Sequence, residues 1–377
     1  MFPSSFGRHY FAHAFHVSKL SKHEVRNLTH LYSMGVNSFH IRQSISYKPH
    51  FDSLKEGMWK QTHMMDESSS EIKGSNDREE SDQHRHQMKS LADFGYHFDK
   101  DGVMRDKHGK QFVFTDQQSY EAIGEAVTEE IYNIMQRAPY NLRKTHFGTA
   151  CNNDEKSFIF HTKDFDNKEY MVILIHGRGV VRAGQWARRL IMNESLDRGS
   201  QLPYLRECSK RGWGVLVMNT NHNVFTDREG RQRTFEGSGS AIEHGINVWK
   251  QFVMPSKARC IAVVAHSAGG IVISNIMEKR SCWMEDEGRT RIGCICLTDS
   301  FFEAPSLEKM GKSSRPCVRH WVAHPSKEIG VPLPPLDDHD VYVERVTAGT
   351  NVHEETSPVA IDDIFRFIET IFKEFNS

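Results

Sequence analysis

Three polar side chains that each follow an apolar run are of the types needed to break an acyl bond. They are Ser267 after VVAH, Asp299 after IGCICLT and His353 after ERVTAGT. A serine hydroxyl is a weak nucleophile until an imidazole takes its proton, and the imidazole works best when a carboxylate orients it. In VVAHSAGGIVISNIM the serine lies between a strand-like run and a helical pattern, with Ala265 and Gly269 two positions away on either side. That spacing predicts a tight strand-to-helix turn that exposes the hydroxyl, with Ala265 where glycine is more usual. The chain order Ser267, Asp299, His353 is the order such a turn asks of its partners. Asp337, Asp338, Asp340 and Glu328 are alternative carboxylates for His353. Taken alone, Ser267 has a helix cap as its competing reading.

Acyl transfer also needs amide donors where negative charge develops on the carbonyl oxygen. The loop His176-Gly177-Arg178-Gly179 follows the run MVILI, and with it we assign the backbone amides of Arg178 and Ala268 to that role. Glycines on both sides of Arg178 free the backbone to turn. Further on, Arg182, Arg188 and Arg189 form a candidate contact for an anion or an acidic partner. On a helix, however, residues 188 and 189 point to different faces, so ion pairing within the chain is the competing reading. Trp186 reads as a core anchor.

These residues need elements to position them. Apolar runs at 158–161, 170–175, 213–218, 260–265, 292–297, 318–322 and 345–347 alternate with helical patterns at 183–193, 203–211, 242–252, 270–279 and 361–375. Runs such as MVILI and IAVVA are apolar at every position, as in strands of a parallel sheet covered on both faces. The expected fold is α/β, a doubly wound, mainly parallel sheet over residues 157–377. Ahead of it, residues 91–156 read as a hairpin around Asp101-Gly102 and His108-Gly109 and then a helix over 117–136. Residues 1–90 read as a disordered or poorly structured extension, because 66–87 is almost wholly polar.

Composition excludes some classes. With Lys+Arg 48 against Asp+Glu 49, the formal charge of −1 gives no global field for nucleic acid or an anionic membrane. Seven cysteines without C-x-x-C spacing argue against a disulfide framework or structural zinc, and His84 and His86 fall in a polar tract rather than a ligand set. No metal or cofactor is expected, and no apolar run reaches the length of a membrane span. Glu24 is the sole acidic residue among the first fifty, a faint organellar presequence signal without an amphipathic face.

The stretch LIHGRGVVRAGQWARRLIMNESLDRGSQLPYL, Leu174 to Leu205, resembles the signature of the Argonaute-binding cotranscriptional regulator family, whose domain also stands at the C-terminus of some fungal class II histone deacetylases. FVFTDQQSYEAIGEAVTEEIY, KSFIF, VVAHSAGG, CLTDS and TAGTNVHEETS extend the resemblance over roughly residues 94–377. It implies an α/β-hydrolase-like fold, a serine nucleophile at Ser267, and work in nucleus and cytoplasm with Argonaute-type, chromatin and splicing proteins. The segment Asn219 to Ser240 is shorter than the charged insertion that members carry there. Two function classes therefore stand side by side: a regulatory scaffold, and a serine hydrolase acting on a small acyl substrate.

Overall fold

The computed structural model describes residues 89–279, 290–303, 305–311, 315–335 and 341–375. The expectations for residues 1–88, for Cys282 and for Asp337, Asp338 and Asp340 lie outside these described residues. The described chain starts with a short antiparallel hairpin, β1 (Tyr96–Phe98) and β2 (Met104–Asp106), turning at Gly102. Helix α1 (Gln117–Gln136) follows, its first turn closed by Asp116, whose carboxylate accepts from the Ser119 amide at 2.8 Å. Ile123, Val127, Ile131 and Met135 recur at intervals of four and are all buried, which is why this helix packs rather than projects.

The remaining elements, in chain order, are β3 (Arg143–Phe147), β4 (Ser157–His161), β5 (Tyr170–Ile175), α2 (Arg188–Asn193), α3 (Leu196–Gly199), α4 (Leu202–Lys210) and β6 (Gly214–Val217). Next come β7 (Val224–Thr226), β8 (Gln232–Thr234), α5 (Ala241–Val248), β9 (Cys260–His266), α6 (Gly269–Glu278) and β10 (Ile292–Thr298). The last are β11 (Cys317–Val322), β12 (Ile329–Pro332), β13 (Val343–Ala348) and α7 (Thr356–Glu374).

Among the described residues, nine strands join in the order β12-β13-β11-β10-β9-β5-β6-β4-β3. The six from β13 to β6 are mutually parallel, while β12, β4 and β3 are antiparallel additions at the two edges. Successive residues of the central strands point to opposite faces, so each strand feeds two cores. Val172, Leu174, Ala262 and Val264 meet α1, α4 and α7 on one side. Ile173, Ile175, Ile261, Val263 and Ala265 meet α5 and α6 on the other. This two-sided burial explains the unbroken apolar runs, and the architecture is the mainly parallel α/β sheet that the pattern predicted.

Three details differ from the sequence reading. The sheet begins at β3, inside the stretch read as a lead-in, and α1 shares a core with Leu174 and Trp186, so the lead-in packs as part of the same body. The pattern over 183–193 is helical only from Arg188, because Gly184 has φ +85° and Ala187 is extended. Finally, β7, β8 and β12 are short and lack an apolar alternation that would betray them.

Candidate active site

Because the central strands run parallel, their carboxyl ends share one edge, and that edge collects the loops on which ligands of such sheets bind. Ser267 follows β9, Asp299 follows β10, His353 follows β13 and His176 follows β5. Strands β6 and β9 flank β5 on opposite sides, so the chain reverses direction across the sheet there, and Gly177 and Ser267 stand at that crevice. They are in close approach: a Cβ on Gly177 would lie 3.0 Å from Ser267 Cβ and 3.4 Å from its Oγ.

Ser267 adopts φ +54° and Asp299 φ +42°, a region that non-glycine residues enter at a cost of about 1–3 kcal/mol. For Ser267 the strain is the price of the strand-to-helix turn. Asp299 uses both carboxylate oxygens. Oδ2 accepts from His353 Nδ1–H at 2.6 Å and Oδ1 from the Ala323 amide at 3.1 Å. Burial pushes this carboxyl up, but the hydrogen bonds from His353 and Ala323 together with the His353 charge outweigh it and hold it below the ordinary range. An ionised carboxylate can only accept, so the proton in this contact sits on Nδ1 of His353, and Nε2 is the ring nitrogen left to face a substrate.

The His353 ring also packs on His266, the residue before the serine, with centroids 4.7 Å apart. His266 Nδ1–H donates to Thr298 O at 2.9 Å, and burial, followed by the His353 charge, pulls it down to about 3, so it stays neutral. Among the described residues, Ser267 Oγ has no hydrogen-bond partner. The structure thus brings Asp299 and His353 into contact and sets His353 against the neighbour of Ser267. Glu328, the alternative acid, is exposed, and His353 pairs with Asp299 instead.

The loop after β5 is pinned from beneath. His176 Nδ1–H donates to Gly177 O at 2.8 Å, and Asn221 Nδ2 donates to Gly177 O at 2.9 Å and Val181 O at 3.0 Å. Burial drags the His176 ring down to about 4, so it is neutral at pH 7. Across a trans peptide the carbonyl and the next amide point oppositely, so anchoring Gly177 O turns the Arg178 N–H away from Asn221. Gly179 takes φ +106°. The Ala268 amide, at the start of α6, has no backbone acceptor among the described residues.

Asn221 was missed by sequence reasoning. Its only signal there is the polar run NTNHN directly after a buried strand.

The three arginines do not converge on an open anion site. Arg188 is 3% exposed, and its Nη2 donates to Glu125 Oε1 at 2.8 Å and Val180 O at 2.9 Å. Arg189 is exposed and pairs with Glu354, the neighbour of His353. Arg182 Nη1 donates to the carbonyls of Gly179 and Val181 at 3.3 and 3.2 Å. The physical reason is local: α2 starts only at Arg188, so residues 188 and 189 face inward and outward respectively. Among the described residues there is no cluster of three or more His, Cys, Asp or Glu suited to a metal ion, and no helix long and apolar enough to cross a membrane.

The Arb2 domain family model matches residues 88–326, which is more than half of the chain. The chain belongs to the Arb2-domain family. Similar proteins include one from Caenorhabditis elegans named as a FAM172 family homologue, 40% identical over 293 residues, with 75% of this chain and 88% of that one covered. The human cotranscriptional regulator ARB2A is 32% identical over 344 residues, covering 74% of this chain and 79% of its own. Among solved structures, a histone deacetylase from Saccharomyces cerevisiae superposes with a TM-score of 0.40 at 11% identity, over 68% of this chain and all of that one, a likeness too loose to carry any assignment.

Proposed function

We propose that this chain is a cotranscriptional regulator that works by protein contact, joining Argonaute-type small-RNA proteins to chromatin and splicing factors in the nucleus, with a share of the protein in the cytoplasm. The observation that carries this reading is the match to the human cotranscriptional regulator ARB2A across three quarters of the chain. Contacts of this kind need exposed surface near the pinned loop, and Val180 offers an apolar side chain there at 49% exposure. Affinity capture from nuclear extract with the full chain is expected to recover Argonaute-type and chromatin proteins. Ser267→Ala leaves that recovery unchanged, whereas Val180→Asp reduces it. Recovery of neither class would overturn the reading.

A second reading, serine hydrolysis of a small ester or amide, is favoured by the 2.6 Å hydrogen bond between Asp299 and His353 beside a left-handed serine turn. In this chemistry Ser267 Oγ attacks the carbonyl carbon while its proton passes to His353 Nε2, and Asp299 stabilises the imidazolium. The amides of Arg178 and Ala268 receive the oxyanion, the leaving group takes the proton from His353, and water then cleaves the acyl-serine by the same route. A fluorophosphonate probe reports an activated serine. Labelling of the wild type that disappears in Ser267→Ala supports the hydrolase, and an unlabelled, folded wild type removes it.

A further inference from the structure

Two strained turns, one at Ser267 and one at Asp299, must be held in register for Asp299, His353 and Ser267 to act together. Backbone in this region persists only where its surroundings over-determine it. What holds these turns is a residue outside the trio. Ser300 is buried, and its Oγ–H donates to Ser267 O at 2.5 Å while the same oxygen accepts from the Gly270 amide at 3.1 Å. Its own amide donates to His320 Nε2 at 2.9 Å, and the next amide, of Phe301, donates to Ser267 O at 3.1 Å. Ser300 therefore touches the backbone on both sides of the nucleophile turn and is itself tied to β11 through His320.

The approach is close enough to dictate Gly270. A Cβ there would lie 2.3 Å from Ser300 Oγ and 2.2 Å from Phe301 O, so any side chain would push the two turns apart. His320 can accept from Ser300 only while Nε2 is unprotonated. Burial, above all, brings its ring down to about 4, so at neutral pH the acceptor is present and Nδ1 carries the proton.

We infer that Ser300 and His320 are positioning residues, locking the Asp299 turn to the Ser267 turn so that carboxylate, imidazole and hydroxyl keep their mutual registry. This inference rests on the hydrolase reading for its chemical consequence, though not for its structural one. Misplacement of a reacting group by about 1 Å can lower a rate about a hundredfold, so small shifts of either turn are enough.

The test uses the full chain and three variants: Ser300→Ala, His320→Leu, which removes the acceptor, and His320→Gln, whose amide oxygen restores one at similar reach. Two readouts are followed, the rate of Ser267 labelling by a fluorophosphonate and the far-downfield proton resonance of His353 Nδ1–H. Labelling is expected to slow about ten- to a hundredfold in Ser300→Ala and His320→Leu and to recover in His320→Gln. The downfield resonance should broaden or vanish in the first two and return in the third. Ser300→Ala removes a single oxygen and keeps the test open if His320→Leu fails to fold. Unchanged resonance and labelling in both Ser300→Ala and His320→Leu would overturn the inference. If the wild type itself resists the probe, the hydrolase reading falls and the resonance alone decides the positioning role.

Discussion

At the residue scale, the decisive group is Asp299, because its two oxygens tie His353 to the backbone of Ala323, just past β11. Asp299→Asn keeps the shape but replaces an acceptor-only carboxylate with an amide, which can offer its NH2 to His353 and favour the tautomer with the proton on Nε2. The expected outcome is a loss of fluorophosphonate labelling of about 10³–10⁴-fold, with a far smaller effect on thermal stability. A labelling rate within a factor of a few of wild type would show that Asp299 does not orient the base. Trp186 has a different job. It is buried at 2% exposure against Tyr204 and His266, so it sits beneath the site without reaching its surface.

At the element scale, the question is how α1 and α2 are fastened together. Arg188 reaches from α2 to Glu125 of α1 across Gly124, where a Cβ would come within 2.7 Å of its Nη1. The guanidinium is buried while the carboxylate is about half exposed, so the two partners are not equivalent. Removing Glu125 strips a charge-assisted hydrogen bond from a buried cation, and Glu125→Ala should lower stability by about 1–3 kcal/mol in urea melts. The exposed pair of Arg189 with Glu354 is worth much less, so Arg189→Ala should cost no more than about 1 kcal/mol. An equal effect of the two substitutions would mean that burial does not govern these contacts. The wide polar loop after β6 is held differently, by Ser238 Oγ–H donating to His222 O at 2.9 Å and by the Asn219 amide donating to His244 Nε2 at 3.1 Å.

At the scale of the whole molecule, several histidines are kept neutral in the folded state. Burial draws His176, His222 and His320 down to about 4 and His266 to about 3, and it takes His244 well below the ordinary imidazole value. In the unfolded chain each titrates near 6.5, so between about pH 6.5 and 4 the unfolded state binds more protons. Their contribution to stability is therefore complete above pH 6.5 and is lost as pH falls toward 4, at up to about 1.4 kcal/mol per pH unit for each group. Urea midpoints measured from pH 7.5 to 4.5 should fall steeply once the pH drops below about 6.5. A flat profile across that window would mean that these rings are not buried in solution.

The order of the elements was legible in the sequence because a strand covered on both faces must be apolar at every position, and MVILI, IAVVA and IGCICL satisfy that demand without reference to anything distant. The serine turn was legible for a similar reason, since small residues at 265, 269 and 270 are a local requirement of a local bend. The edge strands β3 and β12 were not, because they are covered on fewer sides and their composition is free to be polar. Only the tertiary structure could choose Asp299 over Glu328 as the partner of His353, place Arg188 inside and Arg189 outside, and reveal Ser300 between the two turns. Those outcomes depend on which strand ends become neighbours once the sheet has formed, and hydrogen bonds between residues that lie 20 to 60 positions apart leave no periodic trace in the chain.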